Sequence, residues 1–320
     1  MNSICYVVPY FGTLPKTSFR LWLKSCKANP TVNWIIFTDD KTEYDYPDNV
    51  KVYYTTLDEI RERFQSFYDF PIVLDRGWKL CDYKIAYGEI FEKELKGYDF
   101  WGNCDIDLMW GNIRKFYTDE ILEKYDKIGY QAHSTLYKNT PEVNKRYRTV
   151  IDGLDNYKMA FSESEGHAFD EVGIEEIYKK LNIPYYSKVD FAHLAKYETK
   201  FYLATLPKEE DYKNDRQVFT WENGKLLRHY LHNGKIIEEE YMYIHFWCRP
   251  MSYKVKNFSD NAKYLIYSDV VTDKPFKLNE NLIKRKGVSH PVAFYAKSIW
   301  QNRKKLTLKR IIFNIKGSLN

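Results

Sequence analysis

Short apolar runs separated by amphipathic stretches make up the first hundred residues. Ser3-Ile4-Cys5-Tyr6-Val7-Val8 is short, apolar and β-rich, the pattern of a buried strand, and Pro9-Tyr10-Phe11-Gly12 ends it. Ser18 to Cys26 carries apolar residues at helical spacing and is closed by Asn29-Pro30. Trp34-Ile35-Ile36-Phe37-Thr38 is a second buried strand ending in Asp39-Asp40. Strand, helix, strand is a βαβ unit, whose strand ends bring the Pro9–Gly12 loop and Asp39 to one sheet edge, where ligands bind in open α/β sheets. Val50–Tyr54 predicts a third strand and Leu57–Phe67 a helix. A helix is expected from Lys79 to about Leu95, its apolar positions Ile85, Ile90 and Phe91 facing the sheet. It feeds a strand at Tyr98–Trp101.

The pattern then loosens. Gly111 to Tyr130 reads as helix followed by a strand at Lys127–Tyr130, and residues 140–165 as polar helix. Phe169 to Tyr178 starts a further helix. Gln217–Trp221, Lys225–Leu231 and Lys235–Glu239, joined by Asn223-Gly224 and Asn233-Gly234, predict a β-meander, because Asn-Gly is the strongest short hairpin signal. Tyr241 to Phe246 is a strand leading to His245 and, four residues later, Arg249.

Composition changes this picture little. The 320 residues are 44% hydrophobic, enough for a sizeable core, and 18% aromatic. The 49 basic and 44 acidic residues give a net charge of +5 and are interspersed, so no broad nucleic-acid footprint appears. Cys5, Cys26, Cys81, Cys104 and Cys248 show no Cys-x-x-Cys spacing, which excludes a zinc ribbon or disulfide framework and fits a reducing cytoplasm. No secretory signal or apolar run of membrane-spanning length is recognised. The stretch from Asn281 to Asn320 is different. Lys284, Arg285, Lys286, Arg303, Lys304, Lys305, Lys309, Arg310 and Lys316 interleave there with Leu306, Leu308, Ile311, Ile312, Phe313 and Ile315, an amphipathic basic segment.

The chemistry concentrates in Gly102-Asn103-Cys104-Asp105-Ile106-Asp107. On an extended strand, residues two apart share a side, so Asp105 and Asp107 converge at a strand end. Two hard oxygen ligands suit Mg²⁺ or Mn²⁺; the same pair also occurs in polar turns. Asp170 and Glu171 open a helix, where a carboxylate is favoured by the helix dipole. No Gly-x-Gly-x-x-Gly follows the first strand, which disfavours a dinucleotide site.

Lys79-x-x-Asp82, the helix, Gly97-Tyr98-Asp99-Phe100 and Asp105-x-Asp107 resemble the donor-binding core of GT-A glycosyltransferases. More narrowly, Asp82–Gly88 and Gly102–Asp107 resemble an uncharacterised bacterial glycosyltransferase-like family found with capsule and surface-polysaccharide genes. The resemblance runs from Val7 to Arg249. It implies an α/β, GT-A-type, mostly parallel Rossmann-like sheet flanked by helices; the basic tail falls outside it. With the small β-meander insertion and the basic helical tail read above, a catalytic domain is expected over residues 1–255 and a C-terminal extension over 256–320. The implied reaction moves a sugar from a nucleotide-sugar, a UDP-galactose or UDP-glucose derivative, to a glycan or lipid-linked oligosaccharide. Mn²⁺ or Mg²⁺ would be held by Asp105, Asp107 and His245, with Arg249 on the phosphate. His245 also reads as a core histidine at a strand end.

By the same resemblance Asp82 meets donor-sugar hydroxyls, Lys84 contacts the donor, and Lys79 and Asn103 belong with the donor-binding residues. Pro9, Tyr10 and Phe11 border the base, and Asp39 lies near its edge or ribose. Asp170 and Glu171 face the acceptor. The tail implies an anionic membrane surface at the inner face of the cell membrane, and no nucleic-acid partner is implied. Two other readings share these features: a non-catalytic nucleotide- or carbohydrate-binding protein, and a nucleotidyltransferase. The latter usually opens with a Gly-rich loop that Pro9-Tyr10-Phe11-Gly12 is not.

Overall fold

Alternation along the first strand sets the core of the first unit. The computed structural model describes residues 1–195, 201–287, 296, 299 and 300. Contacts divide the chain into Met1–Phe191 and Ala192–Asn320. In β1 (Ile4–Tyr10), Cys5 and Val7 face one layer with Ile35, Phe37, Tyr83, Phe91 and Trp101. Tyr6 points the other way, stacked near Trp34 and Trp110. Burial of both faces is what a parallel sheet with helices on both sides requires.

Around β1 come α1 (Lys16–Lys27), β2 (Val32–Thr38), β3 (Val50–Tyr54) and α2 (Leu57–Gln65), the last opened by a Thr56/Glu59 capping box. Two short helices follow, α3 (Leu80–Tyr83) and α4 (Tyr87–Ile90), and then β4 (Phe100–Cys104) and β5 (Leu108–Trp110). Next are α5 (Ile113–Phe116), α6 (Asp119–Lys124), β6 (Lys127–Ile128), β7 (Ser134–Lys138), α7 (Pro141–Lys145), α8 (Tyr157–Ser162) and α9 (Ile174–Lys180). The sheet order is β3-β2-β1-β4-β7-β6, parallel from β3 to β4 and antiparallel beyond.

Three expectations change. The helix expected from Lys79 to Leu95 is broken into 3₁₀ and α turns. Gly88 lies so close to the Trp101 indole that a Cβ there would come within 2.2 Å of it, so tertiary contact dictates the local path. The polar region 140–165 is not one helix but α7, a 3₁₀ turn and α8. β7 has no counterpart in the periodicity reading, because Leu136 and Tyr137 are its only bulky apolar residues.

The second unit is mainly β. Its strands are β8 (Ala192–His193), β9 (Gln217–Glu222), β10 (Lys225–His232), β11 (Lys235–Tyr241), β12 (Tyr243–His245), β13 (Ser252–Lys254), β14 (Lys263–Tyr267) and β15 (Val270–Thr272). The meander forms as read: Asn223-Gly224 and Asn233-Gly234 all have positive φ, as type I′ turns demand. It is not a small insertion, however. It continues into β14, β15 and β13 as one six-stranded sheet, because β9 pairs with β14 on its other edge. The contact division therefore falls at Phe191 rather than at 255, and residues 263–272 are strands rather than helical extension.

Of the basic segment, Lys284, Arg285 and Lys286 end α10 (Glu280–Lys286), whose Ile283 packs on Val218 and Leu265. Arg303, Leu306 and the rest of the expected amphipathic stretch lie outside the described residues. Among the described residues no helix is long and apolar enough to cross a membrane.

Candidate functional site

β4 is buried along its whole length and delivers the chain to Asp105. There the backbone is clamped twice. Asp105 N–H donates to the His133 carbonyl (3.1 Å), and Trp22 Nε1–H donates to the Asp105 carbonyl (3.2 Å). The chain then bends at Ile106-Asp107 before β5. The aspartates thus converge through a bend past the strand end, not through strand alternation, since the clamps hold Asp105 while the chain turns. Their carboxylate oxygens lie within 4.8 Å of one another. A pair of hard oxygen donors at that separation fits one divalent cation such as Mg²⁺ or Mn²⁺.

Behind Asp105 sits a buried cation. The Lys84 ammonium donates to Asp105 Oδ1 at 2.7 Å and to the Ala132 carbonyl at 3.1 Å, and lies 3.5 Å from Asp170 Oδ2. Burial opposes its charge, yet Asp105 and Asp170 outweigh that and hold its pKa well above the usual lysine value. Asn103 Nδ2 donates to the same Ala132 carbonyl (2.6 Å), so it braces the 130–133 loop.

Asp170 stands in a π-helical turn, Phe169–Gly173, that runs into α9. Its side chain is 8% exposed; burial pushes its pKa up to about 7 against the pull of Lys84, with Glu171 and Asp105 adding to the rise. Glu171 is exposed. The two carboxylates, inseparable by sequence, are therefore in different environments.

Lys79 and Asp82 form a strut. Lys79, fully buried, donates to Asp82 Oδ2 (2.8 Å) and to the carbonyls of Ala160 (2.7 Å) and Glu165 (2.5 Å). Asp82 also accepts the backbone N–H groups of His167 and Phe169, both at 3.1 Å. A carboxylate offers about four lone-pair sites, and these contacts use them. Lys79 and Asp82 together hold the segment that presents Asp170. At the other strand ends, Asp39 Oδ1 accepts the Gly12 N–H at 2.7 Å, with Gly12 at φ +102°, so Asp39 shapes the loop after Pro9, Tyr10 and Phe11. Those three residues are half-buried.

In the second unit, β12 pairs in parallel with β8, placing His245 opposite His193. Their Nδ1 atoms are 3.0 Å apart, and both rings are buried. His193 was not singled out by sequence, since it lies in a two-residue strand with no motif around it. Trp247 packs against the His193 ring, and Trp247 and Cys248 both adopt positive φ, a strained turn of the kind that gathers at functional sites. Arg249 donates from Nη1 to the Ala195 carbonyl at 2.7 Å.

The sequence matches the model of a family of unknown function (DUF6625) over residues 6–275. No curated protein matches it in sequence. Among solved structures it is similar to mouse xyloside xylosyltransferase 1 in its apo form, at 9% identity and a TM-score of 0.38, over 61% of this chain and 88% of that one. It is also similar to the galactosyltransferase LgtC in complex with donor and acceptor sugar analogs, at 10% identity and a TM-score of 0.39, over 78% and 89%.

Proposed function

The chain belongs to that family of unknown function, and we propose that it is a metal-dependent glycosyltransferase of GT-A type. The observation that carries the reading is one cluster at the end of β4: Asp105 and Asp107 converge, and Lys84 ties Asp105 to the buried Asp170. The donor is a nucleotide-sugar, with UDP favoured, and the acceptor a glycan of a surface polysaccharide.

Asp105 and Asp107 would hold Mn²⁺ or Mg²⁺, with His245 as the third ligand and Arg249 on the phosphate implied by the resemblance. When bound, the cation offsets the charge that develops on the leaving diphosphate. Lys84 orients Asp105 through its bond to Oδ1. Asp170, with a pKa near neutrality, accepts the proton of the acceptor hydroxyl as it attacks the sugar. Lys79 and Asp82 hold the turn that carries Asp170. The Pro9–Phe11 loop, fastened by Asp39, borders the base. The basic stretch beyond residue 287 keeps the enzyme at an anionic membrane surface, close to lipid-linked acceptors.

Thermal unfolding with UDP, with and without Mn²⁺, tests the assignment. UDP raises the melting temperature much more with Mn²⁺ present, by linkage, and Asp107→Asn removes most of that difference. Equal stabilisation in EDTA, or none at all, rejects the site. UDP binding with no sugar transfer to any glycan leaves the binding-protein reading instead.

A further inference from the structure

Trp22, Trp34, Trp101, Trp110 and Trp221 are all fully buried, whereas Trp247 and Trp300 leave 40% and 63% of their surface in water and Trp78 leaves 59%. Exposing so large an apolar ring on the surface is unfavourable unless something covers it. The position of this ring is also built. Trp78 lies over the backbone at Gly166, where a Cβ would come within 2.3 Å of Cη2, so only glycine lets the indole settle there. The Arg76 guanidinium lies 5.6 Å from the ring centroid and donates to the Ser164 carbonyl at 2.7 Å, which pins the same two segments together. The next residue, Lys79, adds its bond to the Glu165 carbonyl. Four residues beyond Gly166 is Asp170, and a Cβ at Gly77 would lie 3.4 Å from the Phe11 carbonyl oxygen. Trp78 is thus tied to the segment that runs on to Asp170.

We infer that Trp78 is a stacking platform for a pyranose ring of the glycan acceptor; this rests on the sugar-transfer reading and names the residue that receives the second substrate. A pyranose has a C–H face that suits the negative face of an indole, and an edge of hydroxyls. Here a single flat ring is rimmed by exposed polar groups, Asp75, Arg76, Ser164 and Glu165, which match that edge. A protein partner would need a contiguous apolar patch rather than one ring in a polar surround.

Calorimetric titration of the full chain with UDP and Mn²⁺ present, using lactose, maltose and N,N′-diacetylchitobiose, provides the test. At least one disaccharide binds the wild type. Trp78→Ala weakens that binding at least tenfold, and Trp78→Phe restores part of it. Gly166→Ala, which keeps the indole but displaces it, weakens binding in the same direction. All three variants retain the Mn²⁺-dependent stabilisation by UDP, which shows that they fold. If no disaccharide binds the wild type, or if Trp78→Ala and Gly166→Ala bind as the wild type does, the platform is rejected. Loss of UDP stabilisation in the wild type would instead reject the underlying reading.

Discussion

As the proposed base, Asp170 ties activity and stability to pH in opposite directions. Its pKa is about 7 in the fold, against 3.8 for an unperturbed aspartate. Between those values the folded state holds a proton that the unfolded chain releases, so stability falls as pH rises through the window and is lowest above 7. A base must be ionised to act, so kcat/KM rises through about pH 7. Asp170→Asn is expected to cut turnover by on the order of 10²–10⁴. The same variant gains stability over the wild type at pH 8, with a ceiling of about 4 kcal/mol, and little at pH 4. Rate profiles and urea unfolding at the two pH values measure both effects. Glu171→Gln, at an exposed position, leaves turnover close to wild type. The sequence showed both carboxylates but had no means of ranking them, because burial and the distance to Lys84 come from the π-helical turn.

At the scale of elements, the strut of Lys79 and Asp82 decides whether the segment from Glu165 to Phe169 keeps its place. Replacing Asp82 by Asn leaves the Lys79 ammonium buried without its counter-charge, which costs on the order of 3–5 kcal/mol. The expected result is a large drop in melting temperature and faster hydrogen exchange at the His167 and Phe169 amides. An Asp82 that served only a sugar hydroxyl would instead raise the donor KM and leave both readouts unchanged. The strand–helix–strand order of the first sixty residues was legible because buried parallel strands are continuous apolar runs. The Lys79–Leu95 stretch was not, since its helical spacing is genuine but the chain runs as α3 and α4 with a 3₁₀ turn at Lys84–Ala86 between them. β7 was silent because its strand identity comes from pairing with β4 and β6 rather than from its own side chains.

For the molecule as a whole, the basic stretch supplies the remaining prediction. Each Lys or Arg near an anionic surface contributes about 1 kcal/mol, and that attraction is screened by salt. Full-length protein is expected to float with anionic liposomes at low salt and to detach as salt rises, while a truncation ending at Gly287 stays behind. Gly287 is a sound place to cut because Ile283, the buried anchor of α10, precedes it. Equal flotation of the two proteins rejects the membrane role.

What the sequence determined by itself was local: the parallel strands β1 to β4 of the first sheet, the two Asn-Gly hairpins, and the presence of Asp105, Asp107 and Asp170 with a lysine and a histidine to accompany them. These follow from periodicity and turn chemistry, which act over a few residues. What only the tertiary structure decided was which polar groups meet. Lys84 reaches across 21 positions to Asp105, Asp82 across 87 to Phe169, and His245 across 52 to His193. No short-range pattern encodes such pairs, because they form only when separate elements pack together and burial makes an uncompensated charge too costly to leave.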